Sequence, residues 1–119
     1  MAAPNIVSTT TITGKTAVAN VTTVAANIVS NAAASNKVLK INSLIISNID
    51  ATNPADITAG VFRNSIEYKL ASTITIPSDA TLVIISKDST VYLEEGDAIR
   101  LTASADSRLQ AICSYEDIS

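Results

Sequence analysis

Apolar and polar residues alternate along much of this chain. Ile66-Glu67-Tyr68-Lys69-Leu70, Val91-Tyr92-Leu93 and Ile99-Arg100-Leu101-Thr102-Ala103 show it most plainly. In an extended chain successive side chains point to opposite faces, so each segment predicts a half-buried β-strand. Residues 38–48 predict the strongest strand of all. Leu39 and Ile41 fall in one phase and Leu44 and Ile46 in the other. That phase change predicts a bulge near Ser43, or a strand buried on both faces.

Residues 16–31 fit two patterns. Val18, Val21, Ala25, Ile28 and Val29 have helical spacing, whereas Ala17, Ala19 and Val21 alternate. The segment is rich in β-branched residues, which lose side-chain freedom in a helix and pack well on a pleated surface. Strand is therefore the expectation here. Further strands are expected at 57–62, 66–70, 82–85, 91–93, 99–103 and 109–115, with Ile74 and Ile76 leading into a turn. Between them stand clusters of turn formers: residues 31–36, 50–56, Asn64-Ser65, Pro77-Ser78-Asp79-Ala80, Lys87-Asp88-Ser89, Glu94-Glu95-Gly96-Asp97 and Ala105-Asp106-Ser107. Many short strands with regular turn signals, and no helical segment between them, predict an all-β protein. The expected architecture is a single antiparallel β-sandwich, jelly-roll-like. Residues 1–15 are polar and Thr-rich and are punctuated by Gly14. They predict an extended N-terminal arm preceding a sandwich domain of residues 16–119.

Composition narrows the function. The chain has 119 residues, one domain's worth, and can bury roughly two-thirds of its unfolded surface. Hydrophobic residues reach 47% but aromatics only 3%, so the core must be aliphatic, with Phe62, Tyr68, Tyr92 and Tyr115 as its few large rings. Charged residues are 16%, against roughly 25% in ordinary soluble domains. A surface covered by Ser, Thr, Asn and Ala instead of charge loses little when water is removed, which suits packing against other subunits. Net charge is −3 and the basic residues are scattered with no aromatic platform among them, so no nucleic-acid partner is expected. No apolar run approaches the roughly 20 residues of a membrane span, and no membrane partner is expected. The N-terminal residues Met1-Ala2-Ala3-Pro4-Asn5 lack the basic and apolar regions of a signal peptide. Cys113, alone in the chain and in phase with Leu109 and Ala111, is expected to be a buried, inert thiol.

Little catalytic equipment is present. With no histidine, neither a Ser-His-Asp nor a Cys-His arrangement can form. No Ser-x-x-Lys occurs, and a glycosidase cleft without tryptophan is improbable on chemical grounds. Gly14-Lys15-Thr16 imitates the end of a phosphate loop but lacks the upstream glycine and the strand–helix frame. Glu94, Glu95 and Asp97 offer three hard oxygen donors of the kind that calcium takes. Their spacing matches no complete ligand set, and a turn with Gly96 at a positive φ angle accounts for them. The expectation is a non-enzymatic protein with no catalytic, cofactor or metal residues.

Five segments, in order, carry a family resemblance: Thr11-Ile12-Thr13-Gly14-Lys15-Thr16, Lys40-Ile41-Asn42-Ser43-Leu44-Ile45-Ile46-Ser47-Asn48, Ile74-Thr75-Ile76-Pro77, Tyr92-Leu93-Glu94-Glu95-Gly96-Asp97 and Ser114-Tyr115-Glu116-Asp117-Ile118-Ser119. Through them the chain resembles small virion structural proteins of tailed phages of marine bacteria, cyanophages especially. The resemblance implies a β-sandwich built into the particle and leaves its place there open. The first expectation is a capsid decoration (cement) protein clamping neighbouring capsid subunits. The alternatives are a neck, tail or fibre-base component, and a receptor- or glycan-binding module using Tyr68 or Tyr92. The expected partners are the major capsid protein or other virion proteins and copies of the chain itself, in a trimer. The location is the virion, assembled in the host cytoplasm. The candidate partner-binding residues are Asn5, Ile6, Val7, Thr11 and Ile12, on an arm that adds as a strand or strap to a neighbour.

Overall fold

A computed structural model of the chain describes residues 11–119. Nine strands run through them: β1 (Ile12–Val21), β2 (Ala26–Ser30), β3 (Val38–Asn48), β4 (Ala55–Arg63), β5 (Ile66–Ile76), β6 (Thr81–Ile85), β7 (Val91–Leu93), β8 (Ala98–Ala103) and β9 (Leu109–Ile118). One 3-10 turn, Lys87–Ser89, separates β6 from β7. All pairings are antiparallel. The first sheet has the order β1-β9-β3-β6, with β7 beside the other half of β3; the second has the order β2-β8-β4-β5. Taking β6 and β7 as one interrupted strand, this is the order of a jelly roll, two Greek keys wound into facing sheets. No helix among the described residues is long and apolar enough to cross a membrane.

The alternation read from the sequence sorts side chains between core and surface. Leu39, Ile41, Leu44 and Ile46 of β3 face Ile57, Ile99 and Leu101 of the second sheet, with Leu109, Ala111 and Cys113 of β9 beside them. The phase change in β3 is a bulge: the register against β9 shifts between Ile41 and Ser43. The extra residue turns Leu44 and Ile46 back toward the core, which is why two opposite phases can both be buried. Residues 16–31 are strand, turn and strand, as β-branching favours. Asn64 and Ser65 both adopt positive φ angles (52° and 63°), the geometry of a tight two-residue hairpin joining β4 to β5.

The structure departs from the sequence reading in three places. β1 starts at Ile12 and stays in unbroken register with β9 from Ile12↔Ile118 to Val21↔Leu109. Residues 12–15, counted above with the arm, therefore lie within the first sheet, and residues 1–10 fall outside the described residues. β5 does not stop at Leu70. It continues to Ile76 through bulges that include Thr73 at a φ of 51°, a break in alternation that hid its length. Of the aromatic rings, Tyr115 is partly buried and packs against the core, whereas the other three do not. Every buried hydrophobic residue described is Ile, Leu, Val, Ala or Cys, while Tyr68 is 57% and Tyr92 41% exposed. Tyr92 pairs with Lys40 on the outer face, and Phe62 lies outside the second sheet with the Arg100 guanidinium 3.5 Å above its ring.

Candidate interaction surface

β1 is an edge strand: among the described residues only β9 lies beside it. Thr11 and Ser119 exchange both backbone hydrogen bonds, at 3.1 and 2.9 Å. In an antiparallel ladder such pairs alternate with pairs whose groups point away. Thr13, Lys15, Ala17, Ala19 and Val21 thus bond β9. Ile12, Gly14, Thr16, Val18 and Asn20 aim their N–H and C=O groups off the free edge.

The same even-numbered residues lie on the outer face of the first sheet, and one of them begins an apolar ladder. Val18 is paired with Ile112, Ile112 with Ile45, and Ile45 with Val83, so the row crosses β1, β9, β3 and β6. Val18 is 73% exposed, and Val83 and Ile112 are exposed as well. On one side the row is flanked by Asn20, Gln110, Ser47 and Thr81, and on the other by Thr16, Ser114 and Ser43. Gln110 donates to the Asn20 side chain at 3.1 Å, and the Ser47 and Thr81 hydroxyls lie 3.3 Å apart. None of these eleven residues is charged. Desolvating such a surface costs little beyond the hydrogen bonds of small neutral groups, unlike burying charges.

Two buried carboxylates with basic partners, Asp97 and Asp117, lie away from this row. Asp97, buried in the turn between β7 and β8, accepts the Glu94 N–H at 2.9 Å and two donors from the Arg63 guanidinium, one at 2.8 Å. These hydrogen bonds hold the Arg63 pKa above its usual value, with the neighbouring Asp97 and Glu94 charges adding to the effect. Gly96 takes a φ of 90° in that turn, as expected. On the far side of the barrel mouth, Lys15 and Lys37 both reach one oxygen of buried Asp117, at 3.2 and 3.3 Å. Between β5 and β7 a shallow groove brings Tyr68, Tyr92, Val61, Val91 and Arg63 together. Among the described residues no three His, Cys, Asp or Glu side chains gather to hold a metal ion. Cys113 is fully buried, and desolvation pushes its thiol pKa up to about 11, so the nucleophilic thiolate is suppressed.

Of the partner-binding candidates named from sequence, Asn5, Ile6 and Val7 lie outside the described residues. Thr11 and Ile12 are exposed at the start of β1. The ladder itself was missed. Its signal is present in β9, where Ile112 stands between the inward Ala111 and Cys113, an apolar residue in the solvent phase. Which strands would align such residues side by side is not written locally.

No protein-family model matches the chain, and no curated protein matches it in sequence. Solved structures share its fold. A chain of the Bacillus endospore appendages, a novel family of disulfide-linked pili, superposes with a TM-score of 0.53 at 13% identity, over 92% of this chain and 88% of that one. A chain of the acidic stable capsid of Helicobacter pylori bacteriophage KHP30 also gives a TM-score of 0.53, at 7% identity, over 94% of this chain and 90% of that one.

Proposed function

We propose that this chain is a non-enzymatic structural protein of a phage particle, set on the capsid as a decoration (cement) subunit that clamps neighbouring capsid subunits. The observation that carries this reading is the apolar row that crosses four strands on the outer face of the first sheet, between two rows of neutral polar residues. An exposed apolar patch rimmed by neutral polar residues marks a protein-binding surface. The fold is one that capsid domains use repeatedly. A phage capsid chain stands among the similar structures, which supports a phage structural role, and the source in a marine tailed phage rests on the sequence resemblance alone. Small contacts repeated over a symmetric lattice give firm retention, because each bound copy raises the effective concentration of its other contacts. The expected partner is the major capsid protein.

Quantitative mass spectrometry of purified particles tests the assignment. A fixed stoichiometric ratio to the major capsid protein is the expected result. A single ring's worth of copies moves the chain to the neck, tail or fibre base, and absence from the particle removes the reading. A second reading, a receptor- or glycan-binding module, is favoured by one observation, the groove that gathers Tyr68, Tyr92 and Arg63. Glycan-array binding lost in Tyr68→Ala and Tyr92→Ala would establish it.

A further inference from the structure

The four sheet edges of this jelly roll are not equivalent. β2 has five residues and a register shift between Asn27 and Val29. β6 and β7, with five and three residues, are separated by the Lys87–Ser89 turn. β5 is long, but its register shifts twice against β4 and Thr73 leaves the extended region. Each is a known means of blunting an edge against pairing with another chain. β1 has none of them. Its ten residues, Ile-Thr-Gly-Lys-Thr-Ala-Val-Ala-Asn-Val, contain no proline and no bulge. Their one charge, Lys15, is turned onto Asp117 of its own sheet. Five residues aim N–H and C=O groups away from β9, toward an edge where no other described strand lies, and the apolar ladder runs off this edge at Val18, the most exposed large hydrophobic residue described.

We infer that the free edge of β1 receives residues 1–10 of a neighbouring copy of this chain as an added strand. Ten extended residues reach about 33 Å, the span of a ten-residue strand. The segment carries no charged side chain, and Asn5-Ile6-Val7-Ser8-Thr9-Thr10 is rich in β-branched residues. Ile6 and Val7 point to opposite faces of a strand, so in either phase one of them lies on the outer face that carries the ladder. The donor comes from another molecule because Ser8-Thr9-Thr10-Thr11 has no Gly, Asn or Asp to make the tight hairpin needed to fold back on its own β1. Two copies that exchange ends close into a swapped dimer, and copies that pass the end on in one direction form rings or filaments. The inference deepens the structural role proposed above by naming an acceptor and a donor, both within this chain.

The test uses purified chains. Full-length protein is expected to associate in analytical ultracentrifugation, and a chain lacking residues 1–10 to sediment as a monomer. A synthetic peptide of residues 1–10 should then bind the shortened chain saturably. Thr16→Pro and Val18→Pro each remove one outward N–H and no bond to β9, so either should weaken peptide binding at least tenfold while circular dichroism and melting stay close to the parent. Two positions are used so that failure of one to fold does not decide the matter, and Val18→Lys, which adds a charge at the edge, serves as a third variant with the backbone intact. Association that survives the deletion, a peptide that does not bind, or binding untouched in the folded edge variants would overturn the pairing. Such a result would leave the particle assignment standing, because that rests on copy number in purified virions.

Discussion

The Asp97 carboxylate closes the turn between β7 and β8 by accepting the Glu94 amide, and it fastens that turn to the end of β4 through Arg63. Asp97 is 2% exposed, so its charge is tolerated only because these donors surround it. Asp97→Ala leaves the Glu94 N–H and the guanidinium short of an acceptor. Arg63 is 42% exposed in its side chain and can turn to water or to Glu94, which limits the damage. A loss of about 1–3 kcal/mol in urea denaturation is expected. At the opposite end Asp50 accepts the amides of Thr52 and Asn53, at 2.8 and 3.0 Å, and these bonds lower its pKa from 3.8 to about 2. A carboxyl with a depressed folded pKa contributes stability that is complete above its unfolded value and is lost as pH falls through the folded one. Denaturation midpoints should therefore decline between about pH 4 and pH 2. The decline should be shallower in Asp50→Asn, which cannot titrate; equal slopes in the two proteins would exclude this contribution.

At the scale of elements, the hairpin between β4 and β5 carries a correctable strain. Asn64 suits a positive φ, but Ser65 at 63° has a side chain that disfavours it. Ser65→Gly should raise stability by about 0.5–1 kcal/mol, read as a higher denaturation midpoint with an unchanged slope. This hairpin also shows what could be read from the chain. Asn64-Ser65 announces a turn by residue type alone, and β3, with its bulge at Asn42, is visible because burial on both sides of the bulge imposes an aliphatic side chain at each inward position. β5 was cut short because nothing local marks a strand that resumes after Thr73. Ring size does not by itself decide burial: Tyr115 packs against the core, whereas Tyr68 is exposed and Tyr92 is turned outward by its pairing with Lys40. The close approach at Gly60 was equally invisible. A Cβ there would lie 2.5 Å from the Tyr68 carbonyl oxygen, a contact set by how β5 bulges over β4 and not by neighbours in sequence.

At the scale of the whole molecule, the outer face of the first sheet holds an apolar row between two neutral ones, with Lys40 and Glu116 beyond them. A strand pattern alone could not reveal this face, because Val18, Ile45, Val83 and Ile112 come from four separate strands and meet only through the jelly-roll order. If the face binds another protein, a charge at its centre should abolish binding with little effect on the fold. Ile112→Lys is suited to the purpose: the residue is exposed, its backbone bonds remain, and surface changes of this kind usually shift stability by less than about 0.5 kcal/mol. A lysine there would have to lose its water in any closed contact, with no carboxylate among the flanking residues to pair with it. The purified variant should melt like the parent yet fall to a small fraction of parental occupancy when added in competition to particles lacking the protein. Gln110→Ala, a neutral change in the adjacent row, should leave occupancy within about twofold, since removing one exposed amide costs at most a fraction of a kcal/mol. Full occupancy by Ile112→Lys would mean that this face is turned to solvent in the particle, and that the β1 edge or the sandwich ends make the contact instead.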